Sequence, residues 1–151
     1  MRDLFFFHLL STIINVIVFG LLFESILKNI FVSYAHNDYD FAEVLKTTLE
    51  QNNFSVWLDS SKLQAGQDWR QGIDDGIKAS DVLVVIMSPD AMQSPYVTYE
   101  WAFAYGFGVP VIPLLYKRAI LHPRLETLQY LDFTSRINRP WQSLVSRLQI
   151  P

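Results

Sequence analysis

The sequence contains no cysteine. That absence excludes disulfides, thiolate nucleophiles and cysteine-ligated metal sites. It suits a reducing compartment, although many exported chains also lack cysteine. Histidine is scarce as well: His8, His36 and His122 stand far apart, and no spacing among them suits a metal ion. No Gly-rich phosphate loop occurs, because Gly106-x-Gly108 follows a helical stretch rather than a strand. Charged residues make up 18% of the chain, the net charge is -3 and no basic patch stands out, so nucleic acid is not an expected partner. Repeats and low-complexity segments are missing. What the chain has is apolar bulk. Half of its 151 residues are hydrophobic, enough to bury the core of one ordinary domain and too many for disorder.

That bulk is unevenly spread. Leu4 to Phe23 reads LFFFHLLSTIINVIVFGLLF, with no Asp, Glu, Lys or Arg. At about 1.5 Å per residue, a helix of this length crosses the ~30 Å hydrocarbon layer. His8, Ser11, Thr12 and Asn15 interrupt it. A cleaved signal peptide fits less well, since the run is long and no small-x-small site follows. The alternatives are a helix buried in an oligomer and a misassigned start. The expected organisation is residues 1–28 as an N-terminal hydrophobic helix and hinge, then residues 29–151 as a folded domain.

Past the hinge, Ile30 to Tyr34 is a short run of strand formers followed by a polar loop. Asn37 or Asp38 can cap a helix whose apolar face is Phe41, Val44, Leu45 and Leu49. Ser55 to Leu58 is a second strand. A polar loop, Asp59 to Gln67, leads to a helix capped by Asp68, with Trp69, Ile73 and Ile77 on one face. Asp81 to Met87 reads DVLVVIM, without alternation, as a strand covered on both faces would. Ser94 and Pro95 open a further helix. It runs to about Tyr105, and Gly106 and Gly108 end it. Val109 to Tyr116 is a fourth strand, with Pro110 and Pro113 limiting its pairing. Tyr130 to Phe133 is a fifth, and Pro140 to Leu148 a closing helix.

Strands alternating with helices predict a flavodoxin-like α/β domain of three layers. Its five-stranded parallel sheet should have the order 2-1-3-4-5. Ligands bind such sheets beyond the carboxyl ends of the strands, where the order reverses. That rule selects two loops, Ala35–Asp38 after strand one and Ser88–Asp90 after strand three. The helix beyond the second loop carries Glu100, six residues past its cap and among Tyr96, Tyr99, Trp101 and Phe103. From spacing alone, Glu100 is either a catalytic carboxylate or an ordinary solvated one. His36, in the first loop, is read the same two ways. Asp59 at the end of strand two is discounted as a phosphoacceptor, and Asp74-Asp75 reads as an exposed helix pair.

Taken in order, these pieces resemble a Toll/interleukin receptor (TIR) domain of the bacterial kind, over about Asn29 to Ser135. Ile30-Phe31-Val32-Ser33-Tyr34 with Asp38 resembles the family's first box. Trp57-Leu58-Asp59 resembles the end of its second strand. Leu63, Gly66 and Trp69 match the following loop and helix start. Ile73, Ile77 and Ser80 lead to the third strand, which ends at Ser88. Ser94 and Glu100 match a serine followed six positions later by glutamate, and Pro110-Val111-Ile112-Pro113 the fourth strand. Tyr96 stands where many members carry Trp, and Val97 where several carry Cys.

The resemblance implies cleavage of the nicotinamide–ribose bond of NAD+, with Glu100 as catalytic residue, NAD+ as substrate, and no cofactor or metal. Ordinary glycosidases need two carboxyl groups, because the leaving alkoxide must be protonated. Nicotinamide leaves as a neutral base, so one carboxylate that orients the ribose and faces the developing positive charge suffices. Ser33 and the first-strand loop with His36 would contact ribose or phosphates, and Tyr96, Phe31 or Trp69 would offer aromatic surface. The resemblance also implies activation by self-association, with the Asp59–Gln67 loop completing a neighbour's site. Through Leu4–Phe23 the chain would be a single-pass protein of the cell membrane with its TIR domain cytoplasmic; the alternative is a cytoplasmic protein. The competing functions are a non-catalytic TIR adaptor in signal transduction and a related nucleotide-processing activity.

Overall fold

Val82–Met87 (β3) is the centre of the molecule, and all six of its residues are buried. β-branched side chains on both faces of one strand need a layer of helices on each side. The computed structural model describes residues 27–58 and 69–150 and supplies both layers. Beside β3 lie Lys28–Ser33 (β1) and Val111–Leu115 (β4). Phe54–Leu58 (β2) and Leu131–Asp132 (β5) form the edges, giving the parallel order β2-β1-β3-β4-β5. The expected topology is therefore present. The Leu4–Phe23 stretch and the Asp59–Gln67 loop lie outside the described residues. No helix among those residues is long and apolar enough to cross a membrane.

Side chains alternate across each strand. Ile30 and Val32 of β1, with Val84 and Ile86 of β3, face one core. The helices Tyr39–Glu50 (α1) and Trp141–Gln149 (α6) close it with Phe41, Leu45 and Leu49, and with Leu144, Val145 and Leu148. Phe31 of β1, with Leu83, Val85 and Met87 of β3, faces the opposite core. There Trp69–Lys78 (α2) contributes Ile73 and Ile77. Pro95–Phe107 (α4) adds Val97, Trp101 and Ala104.

Several local expectations change. Val44 is half exposed, because the inward stripe of α1 is Phe41, Ala42, Leu45 and Leu49. Asp38 precedes α1 but makes no capping bond with its side chain. Helix α4 runs through Gly106 to Phe107 and ends where Gly108 adopts φ 89°, a left-handed conformation that glycine takes without a Cβ penalty. Tyr116 lies just past β4, and β5 is two residues long. Two short helices were not foreseen, Pro89–Gln93 (α3) and Pro123–Glu126 (α5).

Candidate active site

Ser33 ends β1 and has the same parity as Phe31, so it points toward the α2/α4 layer. Glu100 lies on α4 at i+3 from Val97 and at i-4 from Ala104, within the stripe that packs on the sheet. The carboxylate thus occupies a core position and is only 2% exposed. This overturns the solvated reading. Burial of an anion is costly unless it is hydrogen-bonded, and Ser33, itself fully buried, donates its hydroxyl proton to Glu100 Oε2. Helix α4 is anchored for this task at its start, where Ser94 Oγ accepts the Val97 N–H at 3.3 Å and Pro95 sits at the first helical position.

The two loops selected by the switch-point rule do meet. Asn37 Nδ2 donates to Asp90 Oδ1 at 3.3 Å. Deeper in, Ser88 donates its hydroxyl proton to the buried carboxylate of Asp38. Lys117, just past β4, donates to the other Asp38 oxygen at 2.7 Å. That hydrogen bond holds the Lys117 ammonium above its usual range. Ser88 Oγ also accepts from the Ala91 N–H at 3.1 Å, which caps α3. One carboxylate therefore ties together the segments after β1, β3 and β4. Sequence reasoning read Asp38 as a helix cap and missed this cluster, because Lys117 lies 79 positions away.

The remaining candidates are dispersed. Phe31 is fully buried in the α2/α4 core, with its ring 5.5 Å from that of Trp57, so the expected open aromatic surface is absent there. Tyr96 is 58% exposed on the first turn of α4. His36 is exposed in the turn before α1. Trp69 begins α2. His122 caps α5 by accepting the Arg124 N–H at Nδ1, 3.2 Å away. Asp74 is not a bare surface carboxylate: Tyr99 donates to it at 2.6 Å, joining α4 to α2. Among the described residues no group of three His, Asp or Glu side chains converges as a metal site would.

A parallel sheet of order 2-1-3-4-5 with helices on both faces, carrying a buried glutamate on the second helix after its third strand, is a flavodoxin-like α/β domain. Residues 30–148 match the TIR domain profile, and the chain belongs to the TIR family. It is similar to a probable 2′ cyclic ADP-D-ribose synthase, TcpO, of Methanobrevibacter olleyae, 38% identical over 74 residues; these are 48% of this chain and 22% of that protein. It is also similar to the 2′ cyclic ADP-D-ribose synthase AbTIR of Acinetobacter baumannii, 36% identical over 73 residues, 48% of this chain and 27% of the relative. A third relative is the NAD(+) hydrolase PdTIR of Paracoccus denitrificans, 38% identical over 61 residues, 40% of this chain and 20% of that protein. The chain thus spans about a quarter of the length of the curated relatives it matches. In fold it resembles the TIR domain of a Toll-related receptor, TRR-2, of Hydra magnipapillata. The TM-score is 0.72 at 23% identity, covering 80% of this chain and 98% of that one.

Proposed function

We infer that this chain cleaves the nicotinamide–ribose bond of NAD+, and that Glu100 is its catalytic residue. The observation that carries this reading is the burial of Glu100 in the inward stripe of α4 with Ser33 bonded to it. A helix gains nothing in stability from a buried carboxylate that an alanine or leucine would not supply more cheaply. The names of the three relatives, two cyclic ADP-ribose synthases and one NAD(+) hydrolase, support the same substrate.

Nicotinamide in NAD+ is a cationic pyridinium and departs neutral, so no general acid is required. As the bond breaks, positive charge spreads over the ribose ring. A fixed anion beside it lowers that barrier, all the more in a site from which water is excluded. Ser33 acts by keeping the carboxylate in one rotamer. His36, exposed in the turn after β1, and Tyr96, exposed on the first turn of α4, are the substrate contacts we assign; Trp69 is a further one. Self-association through the Asp59–Gln67 loop supplies the activation step. The Leu4–Phe23 stretch serves as a single membrane span that concentrates the cytoplasmic TIR domains in two dimensions, in signalling or defence.

The test is nicotinamide release from NAD+ by the full chain in liposomes at rising protein density, beside Glu100→Ala. Glu100→Ala should lose about a hundredfold or more, equivalent to roughly 3 kcal/mol of transition-state stabilisation. Equal release by the two proteins at every density overturns the reading and leaves the adaptor function.

A further inference from the structure

The other side of the sheet, at the same carboxyl edge, carries a cationic groove. It has a volume of about 490 Å³, within the range of about 300–1,000 Å³ common for small-molecule sites. Lys117 and Arg118 line it from the segment after β4, and Arg136 and Arg139 from the segment after β5. These are four of the 12 Lys and Arg in a chain of net charge -3, and no Asp or Glu is among the lining residues. In sequence they form two unremarkable short stretches; the parallel pairing of β4 with β5 makes them neighbours.

The groove is built rather than incidental. Phe41 of α1 stacks on Tyr116 with ring centroids 4.1 Å apart and planes 2° from parallel. On this platform rest the Arg139 guanidinium, 4.8 Å from the Phe41 centroid, and the Lys117 ammonium, 4.9 Å from that of Tyr116. Arg139 Nε also donates to the Phe133 carbonyl at 3.4 Å, which sets the plane of its remaining N–H groups. Ser135 Oγ accepts from the Asn138 N–H at 3.3 Å and keeps its own proton to donate. Ordering these side chains in advance reduces the entropy that a ligand must overcome.

Charge narrows the ligand. Asp38 balances Lys117, and Arg118 is close enough to Asp132 of β5 to favour its ionised form. Neither Arg136 nor Arg139 is in a salt bridge among the described residues. Two positive charges are therefore unbalanced. A pyrophosphate diester carries two negative charges and presents oxygens spaced for two forked guanidinium groups.

We propose that this groove binds the diphosphate of a small molecule, at a site separate from Glu100 and on the opposite face of the sheet. A dinucleotide-derived diphosphate such as ADP-ribose and a simple nucleoside diphosphate share this chemistry. Binding does not depend on NAD+ cleavage, so Glu100→Ala should bind as the parent does.

The experiment is calorimetric titration of inorganic pyrophosphate into the full chain in detergent micelles, with amide NMR shifts as a map. The expected result is saturable binding that shifts residues 116–118 and 134–139 and weakens as salt rises. Arg118→Glu combined with Arg136→Glu should weaken it about tenfold or more, as the loss of two charge-assisted pairs implies. The milder Arg136→Gln, with an unchanged melting temperature, should show a smaller loss and exclude misfolding as the cause. Competition with ADP-ribose and with ADP identifies the source: tighter binding of ADP-ribose marks a dinucleotide product, tighter binding of ADP a separate nucleotide. Equal pyrophosphate affinity in parent and double variant overturns the proposal. So does binding of heparin without binding of pyrophosphate, which would mark a polyanion surface.

Discussion

Ser33 and Glu100 are 67 positions apart in the chain and joined by a buried hydrogen bond, with the serine donating. Ser33→Ala removes the donor and leaves a buried carboxylate oxygen short of one partner. A loss of about 1–3 kcal/mol in stability is expected, read by urea denaturation. Under the proposed function Ser33 positions Glu100, so kcat for NAD+ should fall while KM changes little. Ser33→Thr, which retains the hydroxyl, should recover most of kcat. An alanine variant with parent kcat would show that the bond has no part in the reaction.

The Asp38–Lys117 pair is asymmetric, since Asp38 is buried and Lys117 is partly in water. Lys117→Met leaves an anion inside with Ser88 as its remaining donor; Asp38→Asn leaves a cation that solvent can take. The lysine substitution should therefore cost more, about 1–2 kcal/mol once the exposure of the ammonium is discounted. The folded pKa of Lys117 is raised above the usual 10.5, with the Asp38 hydrogen bond as the main cause. Its contribution is thus fully present below pH 10.5 and is lost as pH rises through the raised value. Thermal melts of parent and Lys117→Met should converge at strongly alkaline pH. A gap of constant size would contradict the assignment.

Asp132 behaves oppositely. Thr134 gives its hydroxyl at 2.6 Å and its backbone N–H at 2.9 Å to Asp132 Oδ1. The hydroxyl bond is the main cause that holds this carboxyl below its usual 3.8. A lowered folded pKa means stability that is present above pH 3.8 and lost as pH falls through the folded value. Thr134→Val should be less stable than the parent near neutrality and equal to it in strong acid. The comparison requires only melts across the acid range.

Gly76 has no room for a side chain. A Cβ there would lie 1.5 Å from the Trp57 ring, against which α2 is packed. In an exposed helix Gly→Ala is stabilising. Here the ring must leave its place beside Phe31, 5.5 Å away, and overpacking of this kind costs about 1–3 kcal/mol or more. Gly76→Ala should melt lower than the parent, and a higher melting temperature would mean that Trp57 has another place to go.

Much of the fold was legible in the sequence. The unbroken apolar run at Val82–Met87 marked the central strand, and the alternation of strands with helices marked the order of the sheet. The short helices α3 and α5 escaped because four or five residues hold too little periodicity to register. Val44 was misplaced because an apolar residue near the edge of a helical stripe can face either way. At the site, Glu100 was legible as a position. Its burial was not, since Tyr96, Tyr99 and Phe103 beside it suggested an aromatic face that the structure leaves partly open.

By itself the sequence determined the architecture and nominated the carboxylate, because apolar periodicity and turn residues act locally. Tertiary structure alone decided that the Glu100 carboxyl is buried and bonded to Ser33, and that Phe31, in the same strand as Ser33, is core. It alone joined Asp38 to Ser88 and Lys117 and gathered Arg118, Arg136 and Arg139 into one groove. Those relationships depend on strand order and register, and parallel pairing brings together residues that no local pattern connects.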